Sequence, residues 1–220
     1  MKNSLKLWKA FFIWNKSKIN FFINYKEKFV DYLNGESFFN EKMEEGVNYH
    51  FLISRFFREK IPIEELDKLE DKILRSVILK IIQLKQEKDL TLIAVEKTLR
   101  IELDIEEISL KEEITKYLKE SFKRESLIIN GKLDFLFFDK EERPVILELK
   151  LKNFIEDNFY AWLIWKVIKR EPILITLSIK GNNFIERQFK REELEKIDNF
   201  YKEKIKEAIE FIYCNKEKIK

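Results

Sequence analysis

Residues 132–150 constrain this chain more tightly than any other stretch. Lys132-Leu-Asp-Phe-Leu-Phe-Phe and Val145-Ile-Leu-Glu-Leu-Lys are apolar, β-rich runs. The polar segment Asp139-Lys-Glu-Glu-Arg-Pro between them predicts a β-hairpin. Side chains alternate faces along a strand, so Val145, Leu147 and Leu149 share one face and Ile146, Glu148 and Lys150 the other. If Phe137 pairs with Val145, Asp134 falls opposite Glu148; if Phe138 does, Asp134 falls opposite Leu149. The first register places Asp, Glu and Lys on one face among Leu, Ile and Phe. Two carboxylates side by side repel, and burial adds a desolvation cost. A divalent cation between them removes the conflict. Set against this is a half-exposed hairpin whose polar face carries the three residues only as solvated side chains.

The rest of the chain bounds what such a hairpin can belong to. With 220 residues and 45% apolar residues, a sizeable core can form. Lys and Arg number 43 against 40 Asp and Glu, so net charge alone marks no nucleic-acid binder. The local exception is residues 1–40, with seven Lys against three acids, a weak candidate for phosphate contact. Cys214 is the one cysteine, which excludes an internal disulfide, a Cys-rich zinc site and an iron–sulfur cluster. Lysines interrupt every apolar run near the N-terminus, and no run reaches bilayer length. The expectation is a cytoplasmic protein with no membrane partner.

Helical periodicity predicts short amphipathic helices over 4–14 and 20–33, a helix over 41–60, and the strongest one over 64–88. Residues 90–95 and 97–103 read as two short β segments or one bent strand. Ser109-Leu-Lys-Glu matches a capping box opening a helix to about Phe122. Ser126–Ile129 reads as a strand, and Asn130-Gly131 as a turn into the Asp134 strand. A helix over about 154–169, a hairpin over 172–189 and a helix over about 192–213 follow. The aromatic residues Phe11, Phe12, Trp14, Phe21 and Phe22 read as core in preference to a base-stacking stripe, as do Trp162 and Trp165. Lys166, Lys169 and Arg170 read as a solvated helix face rather than a phosphate track. The order of elements predicts an α/β fold with a central mixed sheet flanked by helices: a helical segment over 1–40 and one compact domain over 41–220.

Four more features accompany the hairpin. They are Gly46-Val-Asn-Tyr-His50, Glu96 near the start of a strand, Gly131-Lys-Leu-Asp134, and Tyr160-Ala161 on the helix after Lys150. In this order they resemble the PD-(D/E)xK nuclease superfamily, and within it the RecB-type branch that includes the CRISPR-associated adaptation exonucleases. The resemblance spans roughly residues 43–175. It implies a restriction-endonuclease-like core and a Mg²⁺- or Mn²⁺-dependent nuclease. Such an enzyme hydrolyses DNA phosphodiester bonds, as an exonuclease on single-stranded ends or otherwise, in repair, recombination or CRISPR-type defence. By the resemblance Asp134 and Glu148 would ligate the metal, with the Leu149 carbonyl as a further ligand. Lys150 would orient or deprotonate the attacking water. His50 would be a ligand or a phosphate contact, Glu96 an outer ligand, and Tyr160 part of a QxxxY-like nucleic-acid-binding helix. Glu156 stands where that motif has Gln, and Asn158 with Trp162 gives an alternative register. The iron–sulfur members carry four cysteines, so no cluster is implied. No P-loop is present, so a helicase or CRISPR-type partner would be a separate chain. The alternative is a nuclease-fold subunit that binds nucleic acid or a complex without catalysis.

Overall fold

The structure is a computed structural model and describes residues 2–36, 41–151, 158–181 and 183–219. In chain order the elements are α1 (Lys2–Phe12), β1 (Ile13–Asn15), α2 (Lys16–Asn24), α3 (Phe29–Asn34), α4 (Glu41–Arg58) and α5 (Lys72–Glu87). Then come β2 (Thr91–Asp104), α6 (Glu112–Phe122), β3 (Ser126–Phe138), β4 (Pro144–Lys150), α7 (Phe159–Ile168), β5 (Ile173–Ser178), β6 (Asn183–Gln188) and α8 (Arg191–Cys214). The fold is α/β, with a mixed six-stranded sheet in the order β1-β3-β4-β5-β6 and β2 paired to β3. No helix among the described residues is long and apolar enough to cross a membrane.

Two compact units make up the chain, and both are discontinuous in sequence. One comprises Met1–Phe38, Arg100–Gly131 and Glu195–Lys220; the other comprises Phe39–Leu99 and Lys132–Leu194. In the first, Phe11, Phe12, Trp14, Ile19, Phe22 and Phe29 are all buried, so the N-terminal aromatic residues are mostly core. Phe22 meets Phe211 edge-on at 5.8 Å, and Phe11 meets Tyr117 at 5.9 Å. Lys18 is buried with them. Its amine donates to the carbonyls of Lys9 (3.3 Å), Ile13 (2.8 Å) and Ala10, and lies 3.8 Å over the Trp14 ring. Lys9 and Ala10 end α1, where carbonyls have no helical partner, so one lysine satisfies them. Burial pushes this amine well below the ordinary lysine value.

In the second unit, Ile53 and Phe56 of α4 and Leu74, Val77, Ile78, Ile81 and Leu84 of α5 pack on one face of the sheet. That face presents Phe135 and Phe137 of β3, Val145, Leu147 and Leu149 of β4, and Ile173, Ile175 and Leu177 of β5. Asp71 caps α5, accepting the N–H groups of Ile73 (2.9 Å) and Leu74 (3.0 Å). Strands β4 and β5 run parallel, and nearly every residue of both is buried, as expected of central strands covered on two faces.

The hairpin takes the register Phe137↔Val145, the first of the two alternatives. Its turn is tied by Asp139, whose Oδ1 accepts the N–H groups of Glu141 (3.0 Å) and Arg143 (2.8 Å) and whose Oδ2 accepts Arg143 Nε (2.8 Å). Burial alone would raise the Asp139 carboxyl. The bonds from Arg143 and Glu141 outweigh it and hold the group below the usual carboxylate value. A lowered native value adds stability above the unfolded value of about 3.9, and that stability is lost as pH falls through the native value. Asp139→Ala should therefore cost about 1–2 kcal/mol near neutral pH. The gap to the wild type should close on acidification below about pH 4, read by urea unfolding across pH.

Several expectations need correction. Asn130-Gly131 is not a turn: β3 runs through it, and Ile128, Ile129 and Asn130 pair in parallel with Ile13, Trp14 and Asn15. The tertiary pairing overrides the local turn signal. The first helix stops at Phe12 because residues 13–15 supply that strand. The expected capping box is absent: Ser109 lies at φ 53°, ending a 3₁₀ turn, and Lys111 precedes α6 without a side-chain cap. The expectation of a single strand over 90–95 and 97–103 holds: they join in β2, with Glu96 at a positive φ. Of the helix expected over 154–169, residues 154–157 lie outside the described residues, as does Glu156 of the QxxxY-like motif.

Candidate active site

The candidate site assembles at the C-terminal end of β4, on the polar face of the hairpin. Asp134 lies on β3 just beyond the paired residues Phe135 and Leu147. In place of a further ladder bond, its Oδ2 accepts the Leu149 N–H at 2.8 Å. Its Oδ1 lies 3.0 Å from His50 Nδ1. A single carboxylate thus joins α4, β3 and β4.

Helix α4 brings His50 there because Ile53 and Phe56 anchor its inner face in the core while His50 sits at the border of that face. Lys180, just past β5, pairs with Glu45 one turn before His50. Gly46 lies in open space, where an added Cβ would meet nothing within 4 Å, so packing does not require a glycine there.

Glu148 is only 4% exposed on a strand flanked on both sides. Lys150, two residues on and on the same face, donates from Nζ to Glu148 Oε1 at 2.6 Å. The β4–β5 ladder continues past them: Ile179 N–H donates to the Lys150 carbonyl at 2.7 Å, fixing the strand beneath the lysine. A buried ion pair of this kind needs good geometry to offset its desolvation, and the short bond supplies it.

The electrostatics of the site converge on His50. Burial pushes its imidazole down, but the hydrogen bond and charge of Asp134 outweigh burial, with Lys150 opposing and Glu148 adding. His50 therefore holds its proton above the ordinary histidine value.

Chemically, Asp134 and Glu148 are hard oxygen donors of the type Mg²⁺ and Mn²⁺ prefer, so the donor set suits such an ion. Among the described residues, no three His, Cys, Asp or Glu side chains converge as a ready-made ion cage. Three of the four acidic oxygens are engaged instead: Asp134 Oδ1 by His50, Asp134 Oδ2 by the Leu149 N–H, and Glu148 Oε1 by Lys150. Glu96, expected as an outer ligand, forms ion pairs with Arg58 (3.2 Å) and Lys132 (2.8 Å). Tyr160 is half-buried, its ring edge-on to Phe159 at 5.5 Å. Sequence reasoning passed over Arg58 and Lys132, although the placement of Lys132 two residues before Asp134 on the same strand face was a readable signal.

No protein-family model matches the chain, and no curated protein matches it. Among solved structures, one described as the crystal structure of SSO0001 is similar over 80% of this chain and 82% of that chain, at 10% identity and a TM-score of 0.28.

Proposed function

We propose that this protein is a metal-dependent nuclease with a restriction-endonuclease-like core, hydrolysing phosphodiester bonds of DNA at the Asp134–Glu148–Lys150 site. The observation that carries the reading is the register Phe137↔Val145, which sets Asp134 and Glu148 on adjacent strands with Lys150 Nζ 2.6 Å from Glu148. A purely structural hairpin gains nothing from two acids and a lysine gathered at the end of a central strand.

Asp134 and Glu148 would hold Mg²⁺ or Mn²⁺, with the Leu149 carbonyl as a further donor. The ion, when bound, supplies an activated water and neutralises charge on the phosphate. The chain's own residues do the rest. Lys150, fixed by its bond to Glu148, is placed to orient the water or to meet charge building on a phosphate oxygen. His50, held through Nδ1 by Asp134, is placed to meet the same phosphate. Leu136 and Ile146, paired and buried on the same face as Glu148, limit water beside the acids and strengthen these interactions.

The test is incubation of the full chain with end-labelled single- and double-stranded DNA in Mg²⁺ or Mn²⁺, against a chelator control. Ion-dependent cleavage is expected, and Glu148→Gln should abolish both cleavage and calorimetric Mn²⁺ binding. No cleavage of any DNA form with either ion would overturn the reading. A second reading, a nucleic-acid-binding subunit without catalysis, is favoured by the engagement of both Asp134 oxygens and of Glu148 Oε1 within the chain. DNA binding without cleavage would support it.

A further inference from the structure

Glu96, in the second unit's part of β2, is a strained residue. Its φ of 52° lies in the left-handed region, in the middle of β2 and without a glycine's freedom. The bend turns its carboxylate onto two cations, Arg58 Nη1 at 3.2 Å and Lys132 Nζ at 2.8 Å. The cations are 45% and 58% exposed, and ion pairs that open to water stabilise a fold very little. Backbone strain that returns so little stability points to function.

The two cations come from the elements that carry the candidate site. Arg58 lies two turns beyond His50 on α4, about 12 Å along the helix axis. Lys132 lies two residues before Asp134 on the same side of β3, about 7 Å along the strand. Both meet one carboxylate whose two oxygens form a fork, the shape that two oxygens of a phosphodiester also present. Phe51, 52% exposed, is on the same face of α4 as Arg58: at 100° per residue the two sit about 20° apart, about 10 Å along the axis. An exposed ring beside a phosphate anchor offers a stacking face for an unpaired base.

We propose that Arg58 and Lys132 anchor a backbone phosphate of a single nucleic-acid strand entering the Asp134–Glu148 site, and that Glu96 is the resident counter-ion this phosphate displaces. The inference rests on the nuclease reading and adds to it a second, metal-free subsite. It assigns Glu96 to substrate entry in place of metal ligation. Phe51 stacks the base next to the anchored phosphate.

The probe is a fluorescent oligothymidylate, titrated into the full chain with a chelator so that binding is read without cleavage. Replacing both cations, Arg58→Met with Lys132→Met, should weaken binding at least about tenfold. It should also reduce the slope of log affinity against log salt by about 0.7, the value for one phosphate on a single strand. Glu96→Gln should tighten binding several-fold, because the competitor loses its charge. Phe51→Ala should weaken binding of single strands more than of duplex. Unchanged affinity and salt slope in the double variant, or weaker binding by Glu96→Gln, overturns the anchor. If the wild-type chain cleaves DNA while the double variant keeps its KM, the anchor alone fails. If the wild-type chain neither binds nor cleaves, the nuclease reading fails and the anchor falls with it. Both cations are exposed, so their replacement leaves the folded state available for the measurement.

Discussion

Asp134→Asn is expected to fold as the wild type does and to cleave at least about 10³-fold more slowly, a loss of roughly 4 kcal/mol of transition-state stabilisation. The asparagine keeps an oxygen for the Leu149 N–H, the bond that closes the open end of the hairpin at 2.8 Å. What it removes is charge: the partner of His50 Nδ1 and one of the two acidic donors offered to an ion. Asp134→Ala should lose the same activity and also some stability, because the Leu149 N–H is left without an acceptor. An unpaired buried donor costs about 1–3 kcal/mol. The contrast separates the two roles, with cleavage rate reading the charge and urea unfolding reading the hydrogen bond. Cleavage by Asp134→Asn within about threefold of the wild type would remove Asp134 from the chemistry.

The second large effect concerns the first unit. Lys18→Ala should destabilise the protein by about 3–5 kcal/mol, because it opens a cavity beside Trp14 and strands the carbonyls that end α1. Lys18→Met retains the volume and the contact with the ring but none of the donors, and should lose about 2–3 kcal/mol. For a chain of this length each kcal/mol lowers Tm by about 2–4 °C, so the alanine variant should melt roughly 10 °C early. If Lys18→Met were as stable as the wild type, the amine would contribute nothing through its carbonyl bonds.

Much of the second unit was legible in the sequence, because its signals are local. The six-residue polar turn and the alternation of Glu148 and Lys150 narrowed the hairpin to two registers, and the bonds of Asp139 select one. The β5–β6 hairpin follows from a pattern only a few residues long, whereas the helix expected over 64–88 opens only at Lys72, after a 3₁₀ turn over Ile63–Lys68 and the Asp71 cap. The failures share a cause. Asn130-Gly131 has the composition of a turn, yet it extends a strand because Ile13–Asn15 lies beside it, more than a hundred residues away in sequence. Ser109 has the spacing of a cap, yet its backbone turns left-handed and the helix opens later. At the candidate site, the pairing of His50 with Asp134 was implied only by family order, since no local pattern brings residue 50 to residue 134. The Arg58–Glu96–Lys132 cluster joins three separate elements, and its decisive feature, a positive φ at a glutamate, leaves no trace in composition.

The discontinuity of the first unit also shapes how the chain is made. Phe22 has its edge-on partner in Phe211, and Asn34 Nδ2 donates to the Lys218 carbonyl at 3.0 Å. At about 5–20 residues per second, a ribosome finishes those partners roughly ten to forty seconds after the N-terminal aromatic residues emerge. Through that interval a lysine-studded, Phe- and Trp-rich segment waits in water without its C-terminal neighbours. Contacts so distant in sequence also close slowly. The aromatic segment ahead of residue 36 therefore waits longest for its partners, and the lysines that break its apolar runs oppose its self-association meanwhile.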